Sequence, residues 1–352
     1  MAGAMPLLPG LLLPSLANAR EDASMHEDDM HVEQPEDIFQ VRRGPAAQIS
    51  ALNAGSTIGD ILNHPSFAGF ASRILPWDGR IHDVSLPLRD IGSLLPYHSH
   101  VELAVVLGGL NRMIADVALG RSVFYDIYSE AEKQAEPARQ HTGLFFFRGR
   151  PGAPFAVIAP GGGFDYVGSV HEGLPYAQEI SRQGYNAFVL KYRAGRGGRI
   201  ATQDLAAALS FIFRNAKALQ VETEGYSLWG SSAGARMAAS IGSHGVAAFG
   251  GDVLPKPSTV VTAYTAHSDT SADEPATFAV VGEQDRIAPP SSMQSRIAVL
   301  RRGGTPAQLH RYTNVGHGFG TGAGTSAHGW INNAVRFWEK QMHGRTKQKE
   351  IP

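Results

Sequence analysis

The chain has 352 residues, 43% of them hydrophobic and 18% charged, enough apolar material for a large folded core. Its 31 basic and 32 acidic residues leave a net charge of −1, and no basic run points to nucleic acid or an anionic membrane. There is no cysteine, which excludes disulfides, a thiolate nucleophile and thiolate metal sites.

Met5 to Leu16 is mostly apolar, and Ala17-Asn18-Ala19 stands before the charged Arg20-Glu21-Asp22, as at the end of a secretory signal peptide. The positive start is missing and Pro6, Pro9 and Pro14 interrupt the run, so residues 1–19 are read as a truncated signal peptide. The expectation is a periplasmic or secreted protein; without export it is cytoplasmic. The run is shorter than the ~20 residues that span a bilayer, so no membrane insertion is expected. Residues 20–36 are acidic and read as a linker, in which His26 and His31 lack the fixed spacing of a metal site. Residues 37–120 read as a mainly helical extension. Within it, Leu103, Val106, Leu107, Leu110, Met113, Ile114 and Val117 recur at helical spacing, with Gly108-Gly109 expected to weaken the helix.

From residue 121 to 343 strands and helices alternate. The strands are expected at 123–128, 144–147, 155–159, 187–192, 226–229, 259–264, 277–281 and 308–312. Helices are expected at 173–183, 202–218, 232–243, 290–302 and 327–341, with Thr202-Gln203-Asp204 as a capping start. This alternation predicts an α/β domain with a mostly parallel, doubly wound sheet covered on both faces. Residues 344–352 read as a solvated tail.

Gly230-Ser231-Ser232-Ala233-Gly234 fits G-x-S-x-G between an apolar strand and a small-residue helix. Only Ser232 has glycines two residues away on both sides, so Ser232 is the candidate nucleophile and Ser231 its neighbour. A serine hydroxyl needs a base, and the base needs an orienting carboxylate. The loop after 277–281 offers Asp285, with Glu283 as the alternative carboxylate and a turn cap as the alternative role for Asp285. The loop after the last strand, Asn314-Val315-Gly316-His317-Gly318, offers His317 as the base. Pro160-Gly161-Gly162-Gly163-Phe164 follows an early strand, and the amides of Gly162, Gly163 and Ala233 are the expected oxyanion donors. Phe164, Ser231 and His171 are candidate pocket residues, and Glu172 is read as a cap on the following helix.

With these residues in order, the chain resembles the α/β-hydrolase superfamily over residues 121–343, in particular its bacterial esterase and lipase branch. Pro160–Val167 and Gly184–Leu190 are similar to acetyl-xylan and feruloyl-type carbohydrate esterases. The resemblance implies Ser232 as nucleophile, Asp285 as acid, His317 as base, Gly161–Gly163 as oxyanion loop, and no cofactor or metal. The histidine that usually opens that loop is here Pro160, which departs from the hormone-sensitive-lipase-like pattern. The implied activity is a serine carboxylesterase for short-acyl esters, with a carbohydrate esterase on plant polysaccharide as the alternative. A catalytically silent binding protein of this fold is the non-enzyme reading, and such proteins typically lose a member of the Ser-Asp-His set that is complete here. The expected partner is a small-molecule or carbohydrate ester.

Overall fold

The protein is described by a computed structural model over residues 50–349, with side chains to Met342. The expectations for residues 1–36, for the first part of the 37–120 extension (37–49) and for the tail side chains lie outside these residues. Strands β1 (Phe124–Tyr125), β2 (Gly143–Phe147), β3 (Pro154–Ala159), β4 (Asn186–Lys191), β5 (Glu222–Ser231), β6 (Thr259–Ala263), β7 (Ala276–Gly282) and β8 (Ala307–Tyr312) form one sheet. Their order is β1-β2-β4-β3-β5-β6-β7-β8. The β1–β2 and β2–β4 pairings are antiparallel, and the rest, from β4 across to β8, are parallel. All the expected strands form; β1 shrinks to two residues, and β5 begins at Glu222 rather than Tyr226. Strands β2, β4, β6 and β7 are buried along their whole length, which is why they read as mainly apolar runs, broken by an occasional polar residue such as Lys191 or Thr262, rather than alternating ones.

The helices are α1 (Ile58–Leu62), α2 (Ala71–Ile74), α3 (Leu103–Ala118), α4 (Glu130–Ala135), α5 (Leu174–Arg182), α6 (Gly198–Arg214), α7 (Ala216–Leu219), α8 (Ala233–His244), α9 (Pro290–Arg302) and α10 (Trp330–Lys349). Helix α6 starts a turn earlier than its Thr202 signal. Thr202 Oγ1 instead donates to Gly198 O within the helix at 2.7 Å, and Asp204 turns inward to Arg193. Asp204 has no exposed surface: it accepts the Arg193 backbone N–H at 2.8 Å, the guanidinium at 2.6 Å and the Tyr128 hydroxyl at 2.6 Å. No helix among the described residues is long and apolar enough to cross a membrane.

Residues 50–120 share the core of the sheet domain: Ile58, Phe67, Ile74, Val106 and Leu110 pack in one cluster with Phe145, Val189 and Trp229. The glycine pair does not break α3. A Cβ on Gly109 would stand 3.0 Å from Leu174 Cβ, so the pair lets α3 lie against α5, and Gln178 Nε2 donates to Gly108 O at 3.1 Å. Lys191, buried on β4, ties this segment down by donating to Leu75 O and Pro76 O and pairing with Asp78 at 2.9 Å. Burial lowers the Lys191 pKa, with Asp78 opposing.

From β3 the chain crosses through α5 to β4 on one side, then through α6 back past β3 to β5. The sheet therefore switches direction between β3 and β5. The loops at the carboxyl ends of these two strands hold the glycine run and Ser232, where such sheets open a crevice.

Candidate active site

Ser232 sits between β5 and α8 with φ 51° and ψ −115°, a conformation an L-residue holds only at a cost of about 1–3 kcal/mol. Its amide donates to Ala263 O at 2.9 Å, which fixes the turn against β6. The flanking glycines are steric requirements: a Cβ on Gly234 would lie 1.9 Å from Ala159 O, and one on Gly230 would lie 2.3 Å from Gly234 O. Both obstacles are backbone and cannot rotate away. Gly234→Ala is accordingly expected to destabilise the fold by about 1–3 kcal/mol, the usual cost of overpacking, read as a lowered melting temperature. A wild-type melt would show that the turn has slack.

Asp285 lies in the loop after β7 and is 5% exposed. It fills both roles weighed for it. Oδ1 accepts the amides of Ile287 and Ala288 at 2.9 and 2.7 Å, a turn cap, while Oδ2 faces His317 Nδ1 at 2.8 Å. With Nδ1 donating to the carboxylate, Nε2 is left as an acceptor, and it stands 2.9 Å from Ser232 Oγ. Glu283 points elsewhere and pairs with Arg311 at 3.3 Å. The structure thus brings Ser232, His317 and Asp285 into one hydrogen-bonded line, an arrangement able to take a proton from a hydroxyl and return it to a leaving group.

The glycine loop lies beside this line: a Cβ on Gly161 would stand 3.0 Å from Ser232 Cβ. The Gly161 amide is already committed, donating to Glu172 Oε2 at 2.5 Å. The amides of Gly162, Gly163 and Ala233 have no protein acceptor among the described residues. Phe164, next in the chain after Gly163, is half-buried: a Cβ on Gly198 would touch its ring at 3.0 Å, and the Arg236 guanidinium lies 6.0 Å from the ring centre. Ser231 and His171 do not join it. Both are buried beneath the site, Ser231 Oγ donating to Tyr176 OH at 3.1 Å and His171 Nε2 facing Gly318 O at 3.0 Å.

Glu172 does not cap α5. It lies in a single π turn, Ser169–Gly173, with no exposed surface, and accepts from Tyr264 OH at 2.6 Å as well as from Gly161. His98 Nε2 faces it at 3.0 Å. The sequence patterns did not point to Tyr264, Tyr176 or His98. Tyr264 had one available signal, its place directly after β6 at the carboxyl edge of the sheet.

Burial raises the Glu172 carboxyl pKa, but His98, His171 and the Tyr264 hydroxyl outweigh it and hold it at about 2. Burial, with His98 beside it, lowers the His171 imidazole to about 4. Both folded values lie below the ordinary ones. The unfolded chain therefore binds more protons, and stability falls as the medium is acidified. The loss should begin as the pH drops below the ordinary histidine value, ~6.5, and deepen through the ordinary glutamate value, ~4.3. Melting temperatures across this range check it: a Glu172→Gln His171→Gln variant should show a shallower decline, and an identical one would contradict the assignment.

The architecture is that of the α/β hydrolases. Residues 149–260 match the model of the BD-FAE family, an α/β-hydrolase family. An acetyl ester-xyloside bifunctional hydrolase from Caldicellulosiruptor lactoaceticus superposes with TM-score 0.51 at 20% identity, covering 56% of this chain and 88% of that one. A sugar hydrolase from Lactococcus lactis gives 0.51 at 22%, covering 58% and 95%. Carboxyl esterase 2 from the mycorrhizal fungus Tuber melanosporum gives 0.51 at 17%, covering 57% and 83%. No curated protein matches the chain.

Proposed function

We propose that the protein is a serine carboxylesterase acting on short-acyl esters. His317 Nε2 takes the Ser232 proton as Oγ attacks the ester carbonyl, and Asp285 holds the imidazole and stabilises its cation. The amides of Gly162, Gly163 and Ala233 receive the oxyanion. His317 then protonates the leaving alcohol, and water repeats the sequence on the acyl-enzyme. The observation that carries this reading is the unbroken line Asp285 Oδ2–His317–Ser232 Oγ, at 2.8 and 2.9 Å, beside uncommitted amides. The purified protein should hydrolyse p-nitrophenyl acetate with a burst of nitrophenol equal to one per chain when deacylation limits turnover. No hydrolysis of any short aryl ester would overturn the reading.

A second reading narrows the substrate to acylated polysaccharide. It is supported by the exposed Arg236, whose guanidinium lies 6.0 Å from the Phe164 ring centre beside the glycine loop, and by carbohydrate-acting hydrolases among the similar structures. Acetate release from acetylated xylan, set against aryl ester turnover, separates the two: no release from xylan removes this second reading.

A further inference from the structure

The segment Tyr97-His98-Ser99 lies outside the residues matched by the family and touches both halves of the candidate site. At the histidine loop, the Ser99 amide donates to Gly318 O at 3.0 Å and Ser99 Oγ donates to His317 O at 2.7 Å. The approach is so close that a Cβ on Gly318, which has φ 68°, would lie 2.5 Å from Tyr97 O and 2.7 Å from His98 Cα. At the glycine loop, the Tyr97 amide donates to Tyr166 OH at 3.0 Å, and that hydroxyl faces His98 Nδ1 at 2.8 Å. With the Tyr97 N–H filling one lone pair, the Tyr166 proton is free for Nδ1, and the His98 Nε2–H is left to donate to Glu172 Oε1. The other oxygen of the same carboxylate holds the Gly161 amide, next to Ser232. Tyr264 OH closes the cluster on Glu172, with the Tyr264 ring 5.1 Å from the His317 ring.

We infer that Tyr97-His98-Ser99 is a positioning strap. Ser99 fixes the backbone that carries His317, and His98, acting through Glu172, fixes the Gly161 end of the oxyanion loop. The base and the oxyanion donors are thereby held to one another by a segment from outside the strand-and-helix domain. None of these residues touches the reacting atoms. They act by keeping His317 Nε2 and the Gly162 and Gly163 amides in register with Ser232, and displacement on the order of 1 Å at such a site costs up to about 100-fold in rate. The inference rests on the esterase reading above.

The test compares full-length Ser99→Ala, Ser99→Thr and Gly318→Ala with wild type and with Ser232→Ala on p-nitrophenyl acetate, measuring kcat, KM and melting temperature. Loss of the Ser99 hydroxyl should lower kcat on the order of 10- to 100-fold with KM within about twofold. Ser99→Thr, which keeps a hydroxyl, should recover most of it. Gly318→Ala, which pushes the strap from the histidine loop, should reproduce the kcat loss. A merely structural role would lower the melting temperature and leave kcat per folded molecule unchanged. Wild-type kcat in folded Ser99→Ala and Gly318→Ala, with Ser232→Ala inactive, would overturn the strap and leave the esterase reading standing. Wild-type turnover by Ser232→Ala would overturn both.

Discussion

Replacing Ser232 with alanine is expected to lower ester turnover by about 10⁶-fold while leaving the melting temperature close to wild type. Residues that act as one catalytic unit are not additive, and loss of a serine nucleophile costs about as much as loss of the whole unit. The side chain is small and sits at a turn held by backbone bonds, the Ser232 amide to Ala263 O and the Arg236 amide to Ser232 O, neither of which the substitution touches. Alanine at φ 51° carries the same backbone cost as serine there. His317→Ala should fall by a similar factor, and the double variant no further than either single one. Two losses that multiply would mean that Ser232 and His317 act separately, against the 2.9 Å contact between them.

The largest expected effect on stability is at Asp204. Removing it as Asp204→Ala leaves the Arg193 guanidinium 3% exposed with Glu136 as its remaining carboxylate partner. It also strips the Tyr128 hydroxyl and the Arg193 amide of their acceptor. Breaking a buried pair from one side costs about 3–5 kcal/mol, far more than the pair itself contributes, because the desolvated charge stays behind. Chemical denaturation should report this loss, and Asp204→Asn should recover part of it by keeping hydrogen-bonding oxygen and nitrogen in place. A loss under 1 kcal/mol would show that water reaches Arg193 when the carboxylate is gone.

Much of the sheet domain could be read from the chain because its signals are local. Strands such as Phe155–Ala159 and Thr277–Val281 are short apolar runs bounded by glycine or proline, and helix α9 runs over the expected 290–302. The line of Ser232, Asp285 and His317 was legible because each follows a strand in an order that the fold folds together. What stayed hidden depends on contacts between distant segments. Thr202-Gln203-Asp204 looks like a helix start, yet Asp204 is drawn inward by Arg193, and Gly197, at φ 81°, leads into the helix earlier. Glu172 looks like a helix cap, yet its acceptors are taken by Gly161, Tyr264 and His98. His98 and Ser99 lie in an irregular stretch without periodicity, more than two hundred residues before the histidine loop they contact. Pairing of that kind leaves no mark in local pattern.

The most direct measurement is the site of covalent capture. Incubating the protein with a fluorophosphonate and locating the adduct by peptide mass spectrometry asks which hydroxyl the His317 imidazole activates. One adduct per chain is expected, on Ser232, and it should be lost in His317→Ala. Labelling at the buried Ser231, or a folded chain that takes no label, would contradict it.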